Sequence, residues 1–375
     1  MTDAPPSPAK AGRLDAIDWL RGFAVLLMIQ THLYDSWVSP AGKLAPAYWW
    51  TRYLGGVPSR LFLLLVGVSM AIGFERQIER GVARAVIVRG SARRGVEILA
   101  LAYLFRFQEY ALSGFWGPIG DLFRIDILNC IGASLILVAF VAAPRAGRPQ
   151  YAVALAAAAV FVGLGPLIGP AHFPTFLPTP ITAYVGGQRP MSWFGLFPWA
   201  AWAFVGLAVG HVWVRASRDR RREMWTYLLT GVVGLALMSG VLLVRKWNPY
   251  VIHYPNDVVQ QMGPGTFFYR LGLNLLFAFV GYAVTRLLAG RFSPMRQFGR
   301  TSLFVYWIHV DLCYGVVSRR LHHTLDMWQA TLGFVLMTAA MLLVSLGKTK
   351  YWDPWWRKHR PRRAAPGLPA TPKLV

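Results

Sequence analysis

Acidic residues are scarce in this chain and cysteines scarcer. Of 375 residues only 16 are Asp or Glu, against 39 Lys or Arg, and two are Cys. Cys130 and Cys313 both sit inside apolar blocks, so they exclude a disulfide or cysteine-zinc framework and read as buried thiols. Charge of either sign is thin, at 15% of residues, which is low for a soluble protein. No HExxH, CxxC, phosphate-binding loop or dinucleotide fingerprint occurs in a supporting context. The histidines also lack metal-ligand spacing with carboxylates, so no metal site is expected. The opening residues, MTDAPPSPAKAGR, contain no apolar signal core with a cleavage site, and the first hydrophobic helix is expected to remain as an anchor. No internal repeat of the kind found in many transporters is visible.

What is present is hydrophobicity, 55% of the chain, arranged in blocks of membrane length from end to end. Spans are predicted near 17–38, 57–75, 95–113, 122–143, 151–169, 193–214, 225–245, 266–287, 301–319 and 327–347. The expected fold is therefore an all-α polytopic membrane protein of about ten transmembrane helices. Its parts are an N-terminal tail over 1–16, a transmembrane domain over 17–347 and a basic tail over 348–375. The formal charge of +23 tests the orientation. With the N-terminus in the cytoplasm, 27 of the 39 cationic residues fall on inner segments and eight on outer loops, and every inner connection is basic. The positive-inside rule then places both ends in the cytoplasm of a cell (inner) membrane. A basic balance of this size also suits nucleic acid, but these charges are spread among short loops beside apolar helices, and no nucleic-acid partner is expected. Two outer loops, Pro170–Pro190 and Trp247–Gly265, are long enough to act as binding loops or as plain connectors. The inner segment Glu75–Gly95 reads as an interfacial helix.

The first span carries the strongest polar signal. In RLDAIDWLRGFAVLLMIQTH, Asp18, Arg21 and His32 project within roughly 60° of one another on a helix. Ionisable groups in a hydrocarbon span normally face a partner, a protein interior or a wet cavity. Arg21 and Asp18 lie near the inner surface, and His32 stands about 16 Å further along the helix. Imidazole exchanges protons near neutrality, so His32 suits a general base, while Arg21 suits a phosphate or carboxylate. The bland reading is a structural ion pair with a helix-bridging histidine.

A second polar group is FGRTSLFVYWIHVDLCYG, where Thr301 or Ser302 caps a helix that carries Tyr306, His309 and Cys313 on one face. A third is RIDILNC, in which Asp126 either orients a histidine or pairs with Arg106, Arg124 or Arg270. Glu109 and Arg106 form an i, i+3 pair of structural character.

The motif IDxLRGxAxxxM followed by His32 resembles the opening helix of the heparan-α-glucosaminide N-acetyltransferase-like membrane proteins, and of the wider transmembrane acyltransferase superfamily. The likeness continues through RLFLLLVGVSMAIG, DILNCIGASLIL, FPWAAWAFVGLAVG and FGRTSLFVYWIH, in the expected order. The resemblance implies a helical bundle around a central cavity, a cytoplasmic acyl-CoA donor (acetyl-CoA first among them) and a glycan or other cell-envelope acceptor. Carried onto this sequence, it makes His32 the leading catalytic candidate, with His309 and Asp126 beside it. Asp18, Arg21 and Arg300 fall on the donor side. One departure stands out. The lysosomal branch has Asn at the position of His32 and a further histidine about eleven residues later, whereas here YDSWVSPAGKL follows and no histidine occurs between Leu33 and Ala171. His32 must then act alone or with His309.

The expected reaction is direct acyl transfer in a membrane cavity, with Asp126 or Asp18 holding the imidazole. A covalent acyl-histidine route fits the same residues. Two other classes fit as well: a proton-coupled transporter or flippase of an envelope precursor, and a non-catalytic member of an envelope-synthesis complex. Membrane lipids are expected partners, and a homodimer is compatible with all three.

Overall fold

A computed structural model describes residues 8–115, 118–144, 150–168, 178–186, 191–248 and 263–359. Every regular element among them is helical. In chain order these are α1 (Pro8–Trp37), α2 (Pro46–Gly55), α3 (Val57–Glu79), α4 (Arg84–Leu112), α5 (Ile127–Ala142), α6 (Gln150–Leu164) and α7 (Thr179–Gly186). They continue with α8 (Leu196–Ala216), α9 (Arg220–Trp247), α10 (Pro264–Leu287), α11 (Pro294–Arg300), α12 (Ser302–Tyr314), α13 (Met327–Gly347) and α14 (Asp353–His359). Most of the two long connections named above lies outside the described residues; α7 falls within the first.

Among the described residues, five helical stretches are long and apolar enough to cross a membrane: Pro46–Glu79, Leu196–Ala216, Arg220–Trp247, Pro264–Leu287 and Met327–His359. α5 and α6 are apolar but only 16 and 15 residues long, and α12 has 13. A hydrocarbon core needs about 20 residues of helix, so these three fall short of a full crossing at the lengths described. The segment Glu75–Gly95 is not a separate interfacial helix. α3 continues to Glu79, Gly81 turns the chain with a φ of +66°, and α4 begins at Arg84. α1 likewise starts at Pro8, well before the expected entry near residue 17.

Local chemistry explains several boundaries. Asp126 and Asn129 close a capping box at the start of α5, and Asp326 and Gln329 do the same for α13. Thr301 precedes α12 but does not cap it; its hydroxyl is drawn to Gln297 O at 3.2 Å and Ser345 Oγ at 2.6 Å. The terminal carbonyl of α1, Trp37 O, accepts from Thr324 N at 3.1 Å and Leu325 N at 3.0 Å, which ties that helix end to the start of α13.

α1 is the hub, packed against α2, α3, α10, α11, α12 and α13. Its apolar face is fully buried at Leu20, Ala24, Val25, Ile29 and Leu33. Small residues let neighbouring backbones approach. A Cβ on Gly67 would run into the α8 backbone at Ala203 and Leu207, and one on Gly206 would meet Leu64 O of α3. Where lipid supplies no hydrophobic drive between helices, close backbone contact of this kind supplies the packing.

Candidate active site

The polar row of α1 resolves into two parts. At its first end, Asp18 stands between two guanidinium groups: Arg21 Nη1 donates to Asp18 Oδ1 at 3.2 Å, and Arg300 Nε lies 3.8 Å from Asp18 Oδ2. Arg21 Nη2 also donates to Ser69 Oγ at 2.6 Å. Arg300 reaches the site because α11 lies directly on α1. A Cβ on Gly299 would collide with the Asp18 backbone, one on Gly22 with that of Met295, and Arg296 Nη1 adds an ion pair to Asp15 at 2.6 Å. The three residues expected on the donor side are thus brought together.

A cavity of about 520 Å³ opens beside this cluster. Arg21, Ser69, Gln77 and Arg94 are among its polar lining, and Met28 and Tyr306 line it as well. Most of the remaining wall is aliphatic or aromatic, from α3, α4, α5 and α12. A long molecule with an anionic head and an apolar arm matches that division, the cations meeting the head and the aliphatic wall the arm.

The second part is a histidine pair. His32 Nδ1 lies 3.0 Å from His309 Nε2, the rings are nearly parallel at 7°, and their centroids are 5.2 Å apart. His309 is fully buried and its Nδ1 lies 2.7 Å from Val305 O. These two contacts determine where the protons sit in the neutral pair. A carbonyl oxygen only accepts, so His309 Nδ1 carries the hydrogen and His309 Nε2 is left as an acceptor. His32 Nδ1 must then donate to it, which leaves the lone pair of His32 on Nε2. The arrangement produces one base of defined tautomer from two ordinary histidines.

Aromatic side chains flank the pair. Tyr306 meets the His309 ring edge-on at 5.9 Å, and Tyr314 meets His32 at 5.5 Å. Tyr314 donates to Asp35 Oδ2 at 3.0 Å and lines a second cavity of about 290 Å³. That cavity also takes in Gln30, Asp35, Trp49, Arg60 and Arg270. Gln30 is buried, and its Nε2 donates to Thr51 O at 3.3 Å while its Oε1 has no partner among the described residues. A buried acceptor without a donor is costly unless something supplies one. On α1, Met28 faces the first cavity and Gln30 and Thr31 the second; on α12, Tyr306 faces the first and Tyr314 the second. The imidazole pair joins these same two helices, α1 and α12, each of which contributes side chains to both cavities.

Asp126 does not hold the imidazoles. It caps α5 and forms an ion pair with Arg106, which also donates to Glu109 at 2.6 Å. The group that orients the pair is the Val305 carbonyl, not an acid: Asp126 is held by Arg106 and Asp18 by Arg21 and Arg300. Ser69, Arg94, Gln30 and Tyr314 escaped the sequence reading. Ser69 sits unremarked in an apolar run and Gln30 looks like a helix-bridging amide. Tyr314 reads as an end-of-span aromatic, and its i+5 spacing from His309, roughly 140° around the helix, offers no shared face.

The family model for heparan-alpha-glucosaminide N-acetyltransferase, catalytic, matches residues 13–255. That interval includes Asp18, Arg21, His32 and the chain from Arg13 in α1 through α9, and stops short of His309. Comparison with curated proteins returns no match.

Proposed function

The chain belongs to the heparan-alpha-glucosaminide N-acetyltransferase catalytic family, and from that footing we propose that it is an integral-membrane acyltransferase. It moves an acyl group, acetyl in the first instance, from cytoplasmic acyl-CoA to a hydroxyl or amine of a glycan or other envelope acceptor on the far side. The observation that supports this reading is one base of defined tautomer held between α1 and α12, two helices that each contribute to both cavities.

The donor, when bound, supplies an activated thioester. Arg21, Arg94 and Arg300 favour its anionic part, and the aliphatic wall of the 520 Å³ cavity favours the arm that leads toward Tyr306. The acceptor occupies the cavity around Gln30 and Trp49. His32 Nε2 takes the proton of the attacking hydroxyl or amine as the acyl carbon changes partners, and returns it to the departing sulfur. While His32 is an imidazolium, its Nδ1–H remains bonded to His309 Nε2, and that hydrogen bond strengthens as charge develops. Such a contact is stronger in the transition state than in the ground state and so accelerates the chemical step. The charge bias of the loops supports both chain ends in the cytoplasm, with the Asp18 end of α1 inside and the His32 end toward the outer face.

The test is His32→Ala in purified, folded protein, measured with acetyl-CoA and an amino-sugar acceptor. Acyl transfer is expected to fall by roughly 10²–10⁴ while acetyl-CoA binding by calorimetry persists. Turnover retained at the wild-type level in that variant removes His32 from the chemistry.

A further inference from the structure

α13 does not end where a membrane span would. After Gly347 the helix widens into one π turn over Lys348–Trp352 and continues as α14 to His359. This extension is fastened to the body at its base. Gln297 Nε2 of α11 donates to Ser345 O at 2.9 Å and to Thr349 Oγ1 at 3.1 Å. Lys348 Nζ reaches Asp353 Oδ1 at 2.6 Å and lies 5.7 Å from the Phe304 ring centre. The base of the extension therefore has a set direction relative to the bundle.

Beyond that base the side chains sort by chemistry. Trp352, Trp355, Trp356 and His359 project within roughly 100° of one another on a helix. Their rings touch in sequence, Trp352 to Trp355 at 5.7 Å, Trp355 to Trp356 at 6.3 Å and Trp355 to His359 at 4.7 Å. All three tryptophans are about half exposed, at 58%, 51% and 51%. Arg357 and Lys358 lie outside that arc, and both are exposed, as is Lys350. An aromatic face beside a cationic face, in direct continuity with a membrane-length helix, is the chemistry of a surface that lies at the headgroup layer. A soluble phosphate would use the cations and leave the tryptophans in water.

We propose that Lys350–His359 is a docking surface for anionic phospholipid headgroups, in the leaflet that the charge bias assigns to the cytoplasm. The tryptophans sit at the level of the glycerol backbone, and Lys350, Arg357 and Lys358 meet the phosphates. This site is independent of the histidine pair and of the acyl-transfer reading.

The test uses the full chain in phosphatidylcholine vesicles that contain brominated phosphatidylglycerol or brominated phosphatidylcholine. The tail signal is the tryptophan emission lost on Trp352→Phe/Trp355→Phe/Trp356→Phe. Quenching of that component by both lipids, and more strongly by the anionic one, is expected. Lys350→Gln/Arg357→Gln/Lys358→Gln should keep the quenching but lower the preference for phosphatidylglycerol by at least roughly fivefold, the worth of one cation at an anionic surface. Raising salt should lower it in the wild type, because exposed charges are screened. A tail component untouched by either lipid overturns the proposal, and so does equal quenching by the two. Cross-linking between tails of two copies without quenching would instead assign the surface to self-association, which also overturns it.

Discussion

Replacing His309 with leucine is the sharpest probe of the imidazole pair. Leucine keeps much of the buried volume and removes the acceptor for His32 Nδ1, which now lies 3.0 Å away. Two losses follow. The neutral His32 loses a hydrogen bond worth about 1 kcal/mol, and with it the bias toward a lone pair on Nε2. The imidazolium formed during transfer loses a charge-assisted bond worth about 1.5–3 kcal/mol. Only the difference between the two, about 0.5–2 kcal/mol, acts on the chemical step, so kcat should fall by roughly 2–30-fold, with a further small factor from the lost tautomer bias. His32→Ala should cost roughly 10²–10⁴, the range for a positioned acid–base group. The KM for acetyl-CoA should change little in either case, because the cations of the donor cavity are untouched. His309→Gln supplies a carbonyl that can accept from His32 Nδ1 and should recover part of the loss. The double variant His32→Ala/His309→Leu should be no worse than His32→Ala, since two groups acting as a unit are not additive. Steady-state kinetics with a thiol-release assay measures all four. Wild-type kcat in His309→Leu, or additive losses in the double variant, would refute the relay from Val305 O through His309 to His32.

The other sites make separate predictions. Arg21→Leu removes a cation from the donor cavity and frees Ser69, and should raise the acetyl-CoA KM by at least about tenfold with a smaller effect on kcat; a pure kcat loss would move Arg21 to the chemistry. Asp126→Ala deletes the cap of α5, about 1 kcal/mol, and leaves part-buried Arg106 with Glu109 as its one acidic partner among the described residues, a lost charged hydrogen bond of about 1.5–3 kcal/mol more. Its unfolding midpoint in detergent should drop while the folded fraction keeps its kcat, and an unchanged midpoint with lost kcat would return Asp126 to catalysis. Gly299→Val forces α11 off the Asp18 backbone and should cost about 1–3 kcal/mol of stability together with donor affinity. Normal acetyl-CoA binding in a stable Gly299→Val protein would show that the α1–α11 contact does not position the donor site.

Much of the fold is written in local chemistry. Apolar blocks separated by basic or Gly- and Pro-rich connections predict helices because backbone groups in an apolar surrounding must bond within their own segment. The row Asp18, Arg21 and His32 is equally local, since helical geometry alone aligns it. Boundaries were less legible where side chains have competing partners. Thr301 looks like a cap, but Ser345 and Gln297, brought close by packing, take its hydroxyl. Asp126 looks like an imidazole partner, but Arg106 on the preceding helix claims it while it caps α5.

The histidine pair marks the boundary most clearly. Each imidazole was visible as a polar residue in an apolar helix, and the family likeness singled out His32. Their contact joins residues 277 apart, and no spacing rule reaches that far. The proton acceptor that sets the tautomer is a main-chain carbonyl, which every residue possesses and no composition can single out. The two cavities are likewise collective, since each takes its wall from several helices. Sequence alone determined the helices, their polar rows and the basic connections, because those follow from neighbours within a few turns. Tertiary structure decided which rows meet, which proton each nitrogen carries and where space remains, because those depend on how the helices pack.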